Sequence, residues 1–344
     1  MSNESLIQLT DSGLYCAAGG FYIDPWRPVE RAVVTHAHGD HARWGSRNYL
    51  TTRDGERVLR TRQGDDATIQ AVPYGAPIDL NGVRISLHPA GHILGSAQVR
   101  IEHHGEIWVI SGDYKIGADA TCAPFEPVRC HTFVTESTFG LPIYRWRAQA
   151  DLFAEINRWW RANQLAGKAS MLFAYALGKS QRLLAGIDPT IGPIFTHGAV
   201  ERLNRDYRAS GVALPATTYA AAARGVDWSQ SLIIAPPSAQ GTAWMRRFGT
   251  LSTGFASGWM QLRGTRRRKA VDRGFALSDH ADWPGLLDAI AATGAERVWV
   301  THGYSAVLAR WLNEHGLEAT AISTRFEGEP DDSGDDALTV EEGQ

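Results

Sequence analysis

Three histidines and an aspartate lie within six residues, directly after a short apolar stretch. The segment over 35–41 reads Thr-His-Ala-His-Gly-Asp-His. Alternate side chains of an extended chain share a face, so His36 and His38 can approach one ion. The loop that follows can turn Asp40 and His41 towards a second ion. Imidazole and carboxylate suit Zn²⁺, Mn²⁺ or iron, and the alternative is a polar loop that merely contains many histidines.

Three further residues of ligand type follow predicted strands, each beside a glycine. His92 ends a Pro-Ala-Gly-His run, Asp113 ends Ser-Gly-Asp, and His302 lies in Val-Thr-His-Gly. A lone histidine of this kind is more often an ordinary core or surface residue. Four strand ends that carry ligand-type residues in one chain instead favour a metal centre.

Hydrophobic periodicity predicts an α/β fold. The chain has 344 residues, a length that suggests about two domains. Residues up to 140 resemble strands joined by turns, and a helical period follows over 148–166. From 169 to 235 strands alternate with helices, which predicts a small parallel sheet. Strands and helices alternate again from 274 to 323.

Charge is distributed unevenly along the chain. The formal net charge is −3, yet residues 327–344 hold eight acids and no Lys or Arg, so the rest carries 34 bases against 29 acids, a net of +5. This balance permits a phosphate-rich partner without requiring one. A basic run either tracks a nucleic-acid backbone or forms a solvated loop. That run comprises Arg263, Arg266, Arg267, Arg268 and Lys269.

The cysteines and the absence of long apolar segments indicate a cytoplasmic protein. Three scattered cysteines form no CxxC pair, which favours a reducing compartment. We see no signal peptide and no run of 18 apolar residues, so no membrane partner is expected. Association with the nucleoid is expected from the function considered below.

Taken together, the motifs resemble two nested families. HxHxDH, then GH, GD and a later HG resemble the metallo-β-lactamase fold, an αββα sandwich. Asp24, in Phe-Tyr-Ile-Asp-Pro, resembles the acidic residue that supports the metal loop in that fold. Glu136 and His280, in Thr-Glu-Ser and Asp-His-Ala, resemble the first two motifs of the β-CASP nucleases, and His302 occupies the third. Within that group the chain resembles the DNA ligase-associated exonucleases.

The resemblance implies a domain organisation. Residues 1–140 and 271–326 would form a discontinuous metallo-β-lactamase domain. Residues 141–270 would form an inserted β-CASP α/β domain, and 327–344 an acidic disordered tail.

The resemblance also implies a metal centre with two divalent ions, Zn²⁺ or alternatively Mn²⁺. His36, His38 and His92 would hold one ion, Asp40, His41 and His302 the second, and Asp113 would bridge them. Two such ions clamp a phosphodiester and supply hydroxide near neutral pH. The implied catalytic residues are Asp40, Glu136 and His280, with the Glu136 carboxylate orienting the imidazole of His280. Without the resemblance, Glu136 would be taken for an ion-pair partner and His280 for a helix cap.

A strand-to-helix turn offers a candidate phosphate site. Gly178 permits the turn, Lys179 adds charge, and Ser180 begins the helix, whose exposed N–H groups attract anions. A simple helix start is the alternative. Trp259 is a candidate for stacking on a base.

The leading functional prediction is a metal-dependent DNA exonuclease that acts from a 5′ end in DNA repair. Its partners would be single-stranded or 5′-phosphorylated DNA, and a DNA ligase or helicase by family analogy. An RNase J-like ribonuclease stays open because His302 is typical of RNA-acting relatives. A small-molecule metallo-hydrolase and a catalytically silent binding protein are the remaining alternatives.

Overall fold

A computed structural model describes residues 5–262, 264 and 270–325. The described residues form two compact units, one within Met1–Arg145 and His280–Pro330 and one within Trp146–Asp279. The basic run at 263–269 and the acidic tail at 327–344 lie outside the described residues, apart from Gly264. The assignment of these units to the domains implied by the resemblance stays a prediction.

Short strands dominate the chain up to residue 145. Helix α1 spans Glu56–Gln63 and lies between the fifth and sixth strands. The strands are β1 (Gln8–Thr10), β2 (Gly13–Cys16), β3 (Phe21–Ile23), β4 (Arg31–Val33), β5 (Asn48–Thr52), β6 (Ile69–Val72), β7 (Ile78–Leu80), β8 (Val83–Pro89), β9 (Ala97–His103), β10 (Glu106–Ile110) and β11 (Thr132–Thr135).

Helices and strands alternate in the remainder of the chain. The second unit contains α2 (Gln149–Leu165), β12 (Ala169–Phe173), α3 (Lys179–Gly186), β13 (Ile194–Thr196), α4 (Gly198–Ala209), β14 (Thr218–Tyr219), β15 (Leu232–Ala235), β16 (Leu251–Ala256) and β17 (Arg273–Phe275). The chain then continues the first unit with α5 (Trp283–Thr293), β18 (Arg297–Val300), α6 (Ser305–Glu314) and β19 (Glu318–Ala321). Among the described helices, none combines the length and the apolar character that a membrane span needs.

The first unit is a sandwich of two sheets. Strands β1 to β6 follow one another in one sheet, and the other has the order β19-β18-β11-β10-β9-β8-β7. Leu14, Ile23 and Val33 of the first sheet pack with Ile85 and Val99 of the second in one buried cluster. Each of these side chains comes from a face that would otherwise meet water, so burying them together holds the sheets face to face.

Helices cover the outer surfaces of this sandwich. Leu286 of α5 and Leu308 of α6 pack with Phe133 and Val298, which lie on the second sheet. Helix α1 packs against β6 of the first sheet. The predicted α/β class and αββα arrangement are therefore confirmed.

The second unit has a parallel sheet at its centre. Its strand order is β14-β13-β15-β12-β16-β17, and every neighbouring pair runs parallel. Buried Leu172 and Ile234 on one face pack with Ile156 and Trp160 of α2. The alternating pattern from 169 to 235 predicts this sheet correctly, because parallel neighbours need crossover connections.

Candidate metal centre

The sandwich brings several strand ends to one edge of its second sheet. Strands β10, β11 and β18 are parallel neighbours, so their carboxyl ends lie at the same edge. These ends lead to Asp113, Glu136 and His302, respectively. Strand β8 is antiparallel to β9, as β9 is to β10, so β8 delivers His92 to that edge as well.

Two glycines allow the ligand-bearing loops to approach each other closely. Gly112 has φ +56°, and a Cβ atom there would lie 2.5 Å from Thr35 Oγ1. Gly91 has φ +75°, and its Cβ would lie 2.2 Å from the carbonyl oxygen of Lys115. Such separations are shorter than atomic contact permits, and positive φ also disfavours larger residues. The glycines before His92 and Asp113 are thus required by the local backbone.

Four donor atoms converge in a first cluster. His38 Nδ1 lies 3.1 Å from both His36 Nε2 and His92 Nε2. Asp113 Oδ2 lies 3.6 Å from His36 Nε2 and 3.9 Å from His92 Nε2. A tetrahedral zinc site with bonds of about 2.0–2.1 Å places its donors roughly 3.3–3.4 Å apart. The spacing of these four atoms therefore fits a tetrahedral ion.

A second cluster lies on the other side of Asp113. His41 Nε2 lies 3.6 Å from Asp40 Oδ2 and 3.5 Å from Asp113 Oδ2. His302 Nε2 lies 3.9 Å from Asp113 Oδ1, and Asp40, His41 and His302 form one potential ligand group. The Asp113 carboxylate thus faces both clusters, which is the placement expected of a bridging ligand.

Unsatisfied oxygen atoms support a cation in both clusters. Asp40 Oδ2 and Asp113 Oδ1 are buried and accept no hydrogen bond from the described residues. A buried carboxylate oxygen without a partner is costly, and a divalent cation would satisfy it. The structure therefore brings together all seven side chains predicted as ligands, with a donor set suited to divalent metal ions.

Asp24 holds the ligand loop in place through hydrogen bonds to residues at both of its ends. Its Oδ1 accepts a hydrogen bond from the Thr35 backbone N–H at 2.7 Å, and its Oδ2 accepts one from Thr35 Oγ1 at 2.5 Å. Oδ2 also lies 2.7 Å from His41 Nδ1. Because a carboxylate can only accept, His41 carries its proton on Nδ1 and presents Nε2 to the cluster. This placement agrees with the supporting role predicted for Asp24.

Two threonines also orient ligand histidines, and neither of them is identified from the sequence. Thr35 Oγ1 lies 3.0 Å from His36 Nδ1, and Thr301 Oγ1 lies 2.8 Å from His302 Nδ1. Since Thr35 donates its own proton to Asp24, it accepts from His36 Nδ1 and leaves His36 Nε2 as the ligand atom. Each threonine directly precedes its histidine, and this Thr-His pair is the signal that could have identified both.

Burial and neighbouring charges shift the pKa values of the histidines and of the central carboxylate in different directions. Burial, reinforced by His41 and His92, holds the pKa of His36 well below its usual value. Burial likewise lowers the pKa of His302 to about 4. Burial acts to raise the pKa of Asp113, but His41 and His280 outweigh it and hold that pKa well below the ordinary range. Burial also acts to lower the pKa of His41, but Asp113 and Asp40 outweigh it and hold that pKa well above the usual value. Histidine binds metal as the neutral imidazole, so a bound cation would displace the second proton of His41.

The predicted Glu136–His280 pair is present beside the first cluster. His280 Nδ1 lies 3.0 and 2.9 Å from the two carboxylate oxygens of Glu136, and both side chains are buried. Glu136 Oε1 also accepts a hydrogen bond from the Tyr114 N–H at 2.8 Å. The His280 ring lies 4.7 Å from that of His92. Glu136 therefore fixes the ring orientation and the Nδ1–H tautomer of His280.

The turn predicted to bind phosphate, at 178–180, makes an ion pair and hydrogen bonds with other residues of the second unit. Lys179 is fully buried, its Nζ lies 3.1 Å from Asp279 Oδ1, and it lies over the Tyr175 ring. The Gly178 N–H donates to Gln181 Oε1, and Ser180 Oγ donates to the Tyr175 carbonyl. These contacts stabilise the turn, so they are a structural reason for its residues. Its phosphate-binding role stays a prediction.

Trp259 is partly buried and packs against a core cluster of the second unit. It lies in a short 3-10 helix, Gly258–Gln261. Its backbone N–H donates a hydrogen bond to Ser257 Oγ at 3.3 Å. Packing of this kind is sufficient reason for an indole here. A stacking role for Trp259 stays a prediction.

Comparison with known proteins places the chain among larger relatives. No family model matches it. A "Probable DNA ligase" of Opitutus terrae is 33% identical over 316 residues, which are 90% of this chain and 30% of that protein. "Cleavage and polyadenylation specificity factor 73" of Drosophila melanogaster is 29% identical over 184 residues, 51% of this chain and 26% of that protein. "Endoribonuclease YSH1" of Saccharomyces cerevisiae is 28% identical over 122 residues, 35% and 15% respectively.

The chain spans less than a third of the length of each of these relatives. A solved structure of a protein of unknown function from Enterococcus faecalis V583 aligns with a TM-score of 0.52 at 12% identity, over 78% of this chain and 74% of that one. That likeness concerns the fold alone. With its αββα sandwich, its inserted α/β unit and these relatives, the chain belongs to the DNA ligase-associated group of β-CASP proteins with the metallo-β-lactamase fold.

Proposed function

We propose that the protein is a metal-dependent phosphodiester hydrolase, and specifically a DNA exonuclease that starts at a 5′ end. The observation that carries the proposal is the shared position of Asp113, whose carboxylate faces two donor clusters beside the Glu136–His280 pair. Lactamase-like hydrolases of small molecules need no such pair. The relatives named as endoribonucleases add support for phosphodiester chemistry.

Seven side chains would hold the ions, which we expect to be Zn²⁺ or Mn²⁺. They are His36, His38, His92, Asp40, His41, His302 and the shared Asp113. Bound divalent ions supply Lewis acidity towards a phosphoryl oxygen and lower the pKa of water. This chemistry explains why the chain gathers imidazoles and carboxylates at one buried place.

The protein's own acid–base groups have distinct tasks in this proposal. Glu136 accepts the Nδ1–H of His280 and stabilises the doubly protonated ring, so the Nε2–H of that imidazolium can donate its proton to the leaving 3′ oxygen or a hydrogen bond to a phosphate oxygen. The side chain of Asp40 is 15% exposed, compared with 1% for His41. Asp40 can therefore accept a hydrogen bond from an entering water molecule and orient it.

The choice of DNA rests on the ligase relative, which is 33% identical. A ribonuclease is the second candidate, because other relatives are named endoribonucleases and His302 completes the second cluster. A role in DNA repair, a ligase or helicase partner and a location at the nucleoid extend the proposal by family analogy.

Matched oligonucleotides test the proposal directly. DNA and RNA strands of one sequence, labelled at either end and with or without a 5′-phosphate, are incubated with the protein and Zn²⁺ or Mn²⁺. We expect stepwise shortening of 5′-phosphorylated DNA, no product in EDTA, and no product from Asp113→Ala. Preferential cleavage of RNA would favour the ribonuclease, and internal cleavage would contradict an exonuclease.

A further inference from the structure

Exposed apolar side chains follow the candidate site residues along the chain. Within the described part of the first unit, the exposed large apolar residues are Leu9, Trp44, Ile116, Ile143 and Val307. All but Leu9 come three to seven residues after a predicted ligand or dyad residue: three after His41, three after Asp113, seven after Glu136 and five after His302. Trp44, at 75% exposed, is the aromatic member of this set and the most exposed one.

Chain geometry limits how far Trp44 can lie from the donor atoms. Three residues span at most about 11 Å when fully extended, so the Cα atom of Trp44 lies within that distance of the Cα atom of His41. Stacked nucleotides rise about 3.4 Å each along a strand. With the reach of both side chains added, an indole at position 44 can lie within a few nucleotides of a phosphodiester at the donor clusters.

Cationic side chains accompany two of these apolar residues. Arg43 directly precedes Trp44, and its Nε is buried with no hydrogen-bond partner among the described residues. Arg145 is exposed and lies two residues after Ile143. A flat apolar surface beside a guanidinium suits a nucleotide, because the base needs a ring face and the phosphate needs a cation.

We infer that Trp44 stacks on an unpaired base of the substrate strand and so selects single-stranded nucleic acid. This inference rests on the proposed phosphodiesterase function and adds the form of the substrate to it. Bases within a duplex are stacked on both faces and offer no free ring surface to an indole, whereas every base of a single strand does. Stacking also tolerates any sequence, as an exonuclease requires.

The test combines a protein change with a matched substrate change. Trp44→Ala, Trp44→Phe and wild type are compared on single strands that are intact or that carry abasic sites in the three nucleotides next to the cleaved end. Binding is measured by fluorescence anisotropy in EDTA, and hydrolysis by steady-state kinetics with Mn²⁺. Leu165→Ala, which removes an apolar side chain that is 93% exposed in the second unit, is the control.

We expect Trp44→Ala to raise both the Kd and the KM for intact single strands about 5- to 150-fold, the range for loss of one stacked base. Trp44→Phe should recover most of the loss, and Leu165→Ala should match wild type. Abasic sites should weaken wild type but have no further effect on Trp44→Ala. Equal Kd values for wild type and Trp44→Ala on intact strands would overturn the inference while leaving hydrolysis intact. Absence of any hydrolysis by wild type would instead overturn the proposed function, and the inference with it.

Discussion

Asp24 holds His41 through a 2.7 Å contact between its Oδ2 atom and the Nδ1 atom of the imidazole. Asp24 itself has φ +43°, a left-handed backbone conformation that is uncommon for residues other than glycine. Such strain persists only where the surroundings impose it. Here the carboxylate accepts hydrogen bonds from both the backbone and the hydroxyl of Thr35, so one residue fixes the loop that carries four of the predicted ligands.

Replacing Asp24 by Asn should weaken metal binding without changing the ligands. An amide has one acceptor oxygen and no charge, so one of the positions that accept from Thr35 and His41 becomes an NH₂ donor, and the charge that makes His41 more basic is lost. We expect metal affinity to fall about 10- to 100-fold, the usual effect of removing a partner of a ligating histidine. Competition with a chromophoric chelator measures the affinity. Asp11→Asn, a change of the same chemistry outside the centre, is the control, and an unaltered affinity in Asp24→Asn would refute the supporting role.

Asp113→Ala should affect both ions at once. The carboxylate lies 3.5 Å from His41 Nε2 and 3.6 Å from His36 Nε2, so its removal takes a donor from each cluster. We expect bound metal to fall by more than one ion per chain and hydrolysis to disappear. Elemental analysis of the purified protein and end-labelled oligonucleotides give the two readouts. His103→Ala changes the last residue of β9 and should remain near wild type. Loss of only one ion in Asp113→Ala would contradict a shared ligand.

Much of this centre could be predicted because most of its ligands lie in short sequence motifs that can be recognised without the rest of the chain. HxHxDH, Gly91-His92 and Gly112-Asp113 each combine a ligand with the strand end or the glycine that positions it. The same holds for regular elements with a strong period: a helix predicted over 148–166 corresponds to α2 at Gln149–Leu165. Local sequence was sufficient wherever a single element carried both the chemistry and its geometry.

Features that depend on distant partners could not be predicted in this way. Lys179 belongs to a motif typical of anion binding, yet Asp279, a hundred residues away, pairs with it in the buried interior of its unit. The pattern does not predict helix α1 because the helix has few apolar residues: Val58 and Leu59 are buried, and its other buried residue is the polar Gln63. The first sheet is also hard to predict, since its first three strands are three or four residues long and carry little periodic signal.

Glu136→Gln should slow hydrolysis without removing metal. Glutamine retains an oxygen for the Tyr114 N–H, but its amide faces His280 Nδ1 with a donor where the carboxylate accepts. The His280 imidazolium then loses its anionic partner and either deprotonates or turns, so proton donation from Nε2 is lost. We expect kcat to fall about 10²- to 10⁴-fold with unchanged metal content. Glu102→Gln, which alters a partly exposed pair with Arg100 on β9, should be neutral. Loss of metal in Glu136→Gln would mean that Glu136 is a ligand instead.

The Lys179–Asp279 pair provides a test of whether the Gly-Lys-Ser turn is structural. Breaking a buried ion pair from one side costs about 3–5 kcal/mol because the other charge stays buried. At about 2–4 °C per kcal/mol for a unit of this size, Lys179→Met should lower the thermal midpoint by roughly 6–20 °C. Pairing it with Asp279→Leu should restore most of that loss, since neither charge then remains.

Differential scanning calorimetry of the single and double variants supplies the measurement, and Arg161→Met provides the control. Arg161 pairs with Asp188 in the same unit at 2.8 Å, but its side chain is 53% exposed, so its loss should cost at most about 1 kcal/mol. A structural Lys179 predicts that the double variant regains stability and retains its KM for 5′-phosphorylated strands. If the double variant is stable but loses discrimination for a 5′-phosphate, Lys179 binds that phosphate as the motif first suggested.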